Sequence, residues 1–320
     1  MKKFNWSLLN RFGPALALVL VYLFFASLNA RIGSLAAIET IVLQTVIVGI
    51  AAIGMTLVII SGGIDLSAGS IIAFCSVVIA YCMDVFSMSP FWAASMGLVA
   101  GAAWGMLNGV LITRFGLVPF IVTLGGLLVI RGSAKGLAGS IPINAGQTWL
   151  SDLLAILPAD QKWQLIPPGG WLMVFLALAI AGMLRYTKIG RHIFAVGSNE
   201  QTARLCGVSV ERVKVIVYMI AGAFSGLSGI MLMSYQEQGD PTGAVGLELD
   251  VIAAVVIGGG SLSGGEGSML GTLIGALIMT VIRTGCQLNG WPPWVTQIVT
   301  GAVIVIAVGV DRFRHRRSTT

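Results

Sequence analysis

Long apolar runs alternate with short polar intervals along almost the whole chain, falling at about 14–30, 40–60, 68–83, 92–113, 117–133, 170–185, 213–234, 249–260, 269–284 and 294–311. A helix needs about 20 mostly apolar residues to cross a bilayer. The pattern therefore predicts an all-α integral membrane protein of about ten transmembrane helices, a single polytopic domain over residues 1–320. The two longest polar intervals, Arg185 to Lys214 and roughly Ala134 to Gly169, are both shorter than the usual lower size of a domain, about 50 residues. The second contains Pro142, Pro158, Pro167 and Pro168 and reads as a folded surface loop.

Two glycine-rich stretches interrupt the pattern, Ser61 to Ser70 (SGGIDLSAGS) and Gly258 to Gly267 (GGGSLSGGEG). Aligned without gaps they match at Gly62/Gly258, Gly63/Gly259, Leu66/Leu262, Ser67/Ser263 and Gly69/Gly265, the mark of an internal repeat. Each interior glycine costs a helix about 1 kcal/mol relative to alanine, so both stretches should break their helices. Broken backbone at membrane depth survives where protein or water satisfies it, and in transporters such breaks gather round the pathway. The alternative is a pair of ordinary turns between spans. Asp65 and Glu266 are the carboxylates beside the breaks, and each is either a functional group or a helix cap.

Composition agrees with the pattern. Of 320 residues 56% are hydrophobic and 10% charged, against about 25% charged in soluble domains. The N-terminus resembles a secretion signal, but no clear cleavage site follows, so it reads as an uncleaved first span. The net charge of +6 is a topology signal and not a mark of nucleic-acid binding. With the N-terminus in the cytoplasm, fourteen Lys/Arg fall inside, among them Lys2, Lys3, Arg11, Arg114 and Arg312, and five fall outside: Arg31, Arg131, Lys135, Lys162 and Arg283. Both termini are then cytoplasmic. Trp92, Trp104, Trp163, Trp171, Trp291 and Trp294 suit interfacial anchoring.

The interval Arg185 to Lys214 carries six Lys/Arg and faces the cytoplasm in this scheme. Within it Ser198 or Asn199 can cap a short helix with Glu200 in its first turn, and Gly207 can close it. This knob is either a positive anchor that fixes topology or a docking surface for a soluble partner. The chain contains no GxxxxGK[ST], no HExxH and no nucleophile paired with a base, so no catalytic residue is assigned. Cys75, Cys82, Cys206 and Cys286 form no CxxC and suggest neither a disulfide nor a metal site. Gly97/Gly101, Gly222/Gly226 and Gly271/Gly275 are small-xxx-small pairs that let helices approach, the last also suiting a subunit interface. Buried Lys or Arg facing an acid is missing apart from Arg283, which weakens an ion-coupled secondary transporter as the alternative function.

Three segments, Met55 to Ser70, Ile189 to Val208 and Glu248 to Ala276, resemble the permease subunits of bacterial ribose-type ABC sugar importers, and the likeness runs nearly the whole length. The resemblance implies a permease dimer in the inner membrane, two ATPase domains docked beneath it and a periplasmic binding protein that delivers a monosaccharide or similar small polyol. ATP and Mg would then belong to the partner ATPase, with no cofactor bound by this chain. Asn199 to Gly207, including Ala203 and Cys206, would be the coupling helix seated in a cleft of the ATPase, with Glu200, Arg204 and Leu205 as its contacts. Asp65, Ser67, Ser261 and Ser263 would lie near the translocation pathway. Cys206 departs from the small polar residue of many relatives, and the outer loop Ala134 to Gly169 varies freely and does not name the sugar.

Overall fold

The computed structural model describes residues 6–158 and 163–318, with side-chain surroundings over 13–158 and 163–309. Lys2, Lys3 and Lys162 of the charge count lie outside the described residues. The chain is helical almost throughout: α1 (Trp6–Leu28), α2 (Leu35–Ile60), α3 (Ala68–Asp84), α4 (Pro90–Arg114), α5 (Pro119–Ala138), α6 (Pro168–Tyr186), α7 (Lys188–Ser198), α8 (Glu200–Leu205), α9 (Val210–Gln236), α10 (Leu247–Ile257), α11 (Met269–Leu288) and α12 (Pro293–Ser318). Proline opens α4, α5 and α6, where its missing N–H costs nothing and its fixed φ suits the first turn. The predicted outer loop holds a short 3-10 turn, Ser151–Leu154, and a two-residue strand β1 (Ile143–Asn144) paired antiparallel with β2 (Gln238–Gly239) just after α9.

Among the described residues, six helices are long and apolar enough to cross a membrane: α2, α4, α5, α6, α9 and α11. Shorter apolar helices cover Gly13–Leu28, α3 and Pro293–Gly309. The run predicted as a span at 249–260 is the 11-residue α10, only about 16 Å long and so about half of a bilayer core. Gly258 to Gly260 end it early.

The core is organised on α2. Of its most apolar window 94% is buried, and it packs against α6, α9, α10 and α11. A second seam joins α4 to α9 through glycine. A Cβ on Gly101 would lie 2.5 Å from the carbonyl oxygen of Gly222, and one on Gly105 2.1 Å from that of Tyr218. The small-xxx-small reading of these positions as packing surfaces therefore holds. Gly271 and Gly275 differ from the subunit-interface expectation, because their face is already covered by Gly258 and Ala254 of the α10 end. Outward faces of α5 and α6 carry Leu128, Val129, Phe175 and Leu178, all exposed, as lipid-facing helices do.

Candidate functional site

The basic interval folds into two helices, not one. Thr187 caps α7 by accepting from Gly190 N at 3.1 Å. Ser198 is its last residue, so the cap of α8 falls to Asn199, whose Oδ1 accepts from Thr202 N at 2.9 Å. The other end closes as expected. Gly207 takes φ +84°, Gly207 N donates to Arg204 O and Val208 N to Ala203 O, both at 3.0 Å, a Schellman closure that a Cβ would strain. Ala203 is buried at the foot of the helix, while Leu205 at its tip is 89% exposed and Cys206 is exposed beside it.

The charges of α8 are turned onto the knob itself. Arg204 pairs with Glu211 at the start of α9 and with Glu200 at 3.4 Å, and Lys214 Nζ reaches the other Glu200 oxygen at 2.6 Å. The Arg204 guanidinium is held above its ordinary pKa, first by its hydrogen bond to Glu211 and then by the charge of that carboxylate. Glu200 and Arg204 thus brace the knob, and Leu205 is the side chain left facing outward.

The two glycine-rich stretches do break their helices, and they break in the same way. After α2, Gly62 has φ +80° and Gly63 N donates to Val58 O at 2.9 Å; after α10, Gly259 has φ +94° and Gly260 N donates to Val255 O at 2.8 Å. A side-chain turn then follows at the aligned positions. Asp65 Oδ1 accepts from Ser67 N at 2.8 Å, and Ser261 Oγ accepts from Ser263 N at 3.3 Å. The helix closures are offset by one residue from the gap-free alignment, so the second break is one residue shorter up to its turn.

The breaks also touch each other and the end of α7. Gly265 N donates to Ile60 O at 2.8 Å. Gly197 lies so close that a Cβ there would sit 1.7 Å from Ile60 O and 2.7 Å from Gly265 N, and a Cβ on Gly264 would be 3.0 Å from Gly62 Cα. Backbone meets backbone at this junction, with glycine from three distant parts of the sequence.

Asp65 is 1% exposed and belongs to a buried polar cluster at the first break. Ser67 Oγ donates to it at 2.5 Å and accepts from Asn108 Nδ2 at 2.9 Å, while Thr123 Oγ1 and Tyr218 OH both donate to Ile64 O at 3.3 Å. The irregular backbone there is satisfied by side chains from α4, α5 and α9, so it is buried without unpaired polar groups at Ile64 and Ser67. Ser261 is also buried, and Ser263 is exposed.

Two cations find partners inside the bundle that their place in the sequence does not show. Arg131 and Arg283, counted on the outer side near the ends of the runs 117–133 and 269–284, sit within α5 and α11. Arg131 donates to the carbonyls of Pro241 and Gly243 at 3.1 and 2.5 Å, and Arg283 pairs with the buried Asp250 of α10. The signal lies in Asp250 within the run 249–260 and Arg283 within the run 269–284.

The profile of a family described as "Branched-chain amino acid transport system / permease component" matches residues 37–308. The chain belongs to this permease family. It is 37% identical to the ribose import permease of Escherichia coli K12 over 296 residues, 92% of each chain. The permease is 39% identical to the ribose import permease of Bacillus subtilis over 305 residues, 95% of this chain and 93% of that one. It is 33% identical to an L-arabinose ABC transporter permease of Azospirillum brasilense over 316 residues, 98% and 90% of the two chains. No solved structure matches it.

Proposed function

We propose that this permease is the membrane-spanning subunit of an ATP-driven importer for a monosaccharide or small polyol. It would sit in the bacterial inner membrane as one polytopic unit of about ten crossings with both termini cytoplasmic. In this reading a second permease copy completes the pore, a periplasmic binding protein delivers the sugar, and ATP and Mg are bound by a cytoplasmic ATPase. Relatives named for ribose and arabinose support the cargo class.

The observation that carries the reading is the junction of Gly62, Gly197 and Gly265. α8 presents Leu205 outward, α7 continues directly from it, and the end of α7 rests on both helix breaks. A partner that grips α8 and moves on binding ATP would shift both breaks at once, since close-packed backbone transmits displacement. Asp65, Ser67, Ser261 and Ser263 form the turns inside those breaks, and in this mechanism they border the pathway as it opens inward.

An ion-coupled secondary transporter is the second reading, and the Asp250–Arg283 pair within the membrane is the feature that favours it. Uptake into vesicles separates the two. The importer should need ATP, its ATPase and its binding protein; sugar accumulation by the isolated chain on an ion gradient alone would sink the reading.

A further inference from the structure

Where α6 ends and α7 turns away from it, an open groove of about 290 Å³ lies between α6, α7 and the start of α11. Ala181, Leu184, Phe194 and Met269 give it an apolar wall, and Arg185 stands exposed at its edge. α7 is amphipathic beside it. Ile193 and Val196 are buried, while Lys188, Arg191 and His192 are exposed on the opposite face. Phe194 is three residues on from Arg191, a neighbouring position on a helix, so the cationic face of α7 adjoins the groove. Among the described residues, Arg185, Lys188 and Arg191 take part in no ion pair, and the nearby acids Glu200 and Glu211 are engaged with Arg204 and Lys214. The first turn of α7 holds no acid either. The Arg185 guanidinium lies 5.4 Å over the exposed Tyr186 ring, a pairing suited to headgroup depth at the end of a span.

Cations at a span end are ordinarily a topology signal and require no particular lipid. The groove beside them changes that. An apolar channel at the end of a lipid-facing helix opens to hydrocarbon and accepts an acyl chain, but lipid tails are as apolar as leucine and alike from one lipid to the next, so the groove alone does not choose. The charges do. Each Lys or Arg near an anionic headgroup strengthens binding about fivefold, and three unpaired ones gathered at one edge select a phosphate that carries net negative charge. The patch is also set apart from the outward-facing Leu205. It gathers at the start of α7, and that helix of 11 residues separates it from α8 by about 16 Å. The walls connect the groove to the glycine junction. Phe194 precedes Gly197 by three residues, and Gly267 follows Gly265 by two and packs on Ile60 of α2.

We propose that this groove holds the acyl chain of an anionic phospholipid whose headgroup phosphate is gripped by Arg185, Lys188 and Arg191, and that the bound lipid steadies the end of α7 against the two helix breaks. Its effect on uptake rests on the importer reading above; its binding does not. The test takes the complete transporter in proteoliposomes of phosphatidylcholine with or without phosphatidylglycerol. Native mass spectrometry after extraction, without ATP or sugar, should show the parent retaining phosphatidylglycerol in preference to phosphatidylcholine. Arg185→Gln should weaken that preference about fivefold. Ala181→Trp, which fills the groove and leaves every cation in place, should also weaken it. The parent should take up sugar about fivefold faster with phosphatidylglycerol than without it, and the triple variant Arg185→Gln, Lys188→Gln, Arg191→Gln should transport equally in both membranes. Equal retention of phosphatidylglycerol by the parent, the triple variant and Ala181→Trp would overturn the lipid site. So would a triple variant that keeps the lipid and loses its ATPase on purification, which would give the patch to the ATPase. Inorganic phosphate that restores uptake in pure phosphatidylcholine would likewise replace the lipid with a free anion. Sugar uptake that proceeds without ATP defeats the importer reading and leaves the retention result standing by itself.

Discussion

Leu205 is 89% exposed at the tip of α8, while its charged neighbours Glu200 and Arg204 are engaged with Glu211 and Lys214. Exposed ion pairs of this kind contribute little to stability, so their role is to hold the shape of the knob. An outward apolar side chain on a braced, capped helix is the sort of anchor that fills a partner's pocket. Leu205→Asp should therefore reduce ATP-coupled uptake at least tenfold with normal amounts of protein in the membrane, measured by sugar uptake beside immunoblotting. Normal uptake in that variant would remove α8 as the point of grip. Asn199→Ala, which removes the cap, costs about 1 kcal/mol of local helix stability and should give a milder defect of the same kind. Asp65 behaves differently because it is enclosed. Asp65→Asn keeps an oxygen to receive Ser67 N but turns the other carboxyl oxygen into an amide group that can only donate. It should lower transport without loss of assembly, and wild-type uptake would leave Asp65 as a turn former only.

The helices themselves were written plainly in the chain, because an apolar run of span length has few alternatives. α8 was equally legible, since Asn199, Glu200 and Gly207 are local signals acting over one or two turns. What could not be read was which distant segments meet. Gly197, in a sequence that shows no repeat of the glycine-rich stretches, turns out to lie between them, and nothing local marks that contact. α10 was overread as a full span because its apolar run continues up to the glycines that cut it short. Arg131 and Arg283 count as outer charges near the ends of their runs, but the partners they find inside, two carbonyls and a carboxylate, come from distant segments that no local signal marks. The junction makes its own prediction. Gly197→Ala puts a methyl 1.7 Å from Ile60 O, so the end of α7 must withdraw from both breaks. The folded bundle should survive, as the main seams of α2 with α9 and α11 lie outside this contact, while ATP hydrolysis continues and sugar uptake falls severalfold. Paired measurement of hydrolysis and uptake in proteoliposomes checks it, and equal loss of both would point to simple misfolding instead.

At the scale of the whole molecule, α2 runs from a polar cavity lined by Gln44, Asp250 and Arg283 to the glycine junction, where Ile60 O is held. It faces α11 through two hydroxyl contacts, Thr45 to Thr280 at 2.6 Å and Thr56 to Thr272 at 2.8 Å. Weak, exchangeable hydroxyl pairs between two buried helices allow sliding more readily than interlocked large side chains, which must leave their grooves to move. If the knob's displacement reaches the cavity, it does so by moving α2 relative to α11, each the continuation of one break. A bridge between them should then stop transport. Thr45→Cys with Thr280→Cys, in the Cys206→Ser background, places two thiols where two hydroxyls now touch, within the range of disulfide geometry. Oxidation of the membrane-embedded transporter should cut ATP-driven uptake about tenfold, roughly 1.4 kcal/mol or more on the rate-limiting step, and dithiothreitol should restore it. Each single-cysteine variant should be insensitive to the same oxidant. Full uptake by the cross-linked protein, with the bridge verified by mass spectrometry, would mean that α2 and α11 travel as one body, and the opening motion would then have to lie between this pair and the α4–α9 seam.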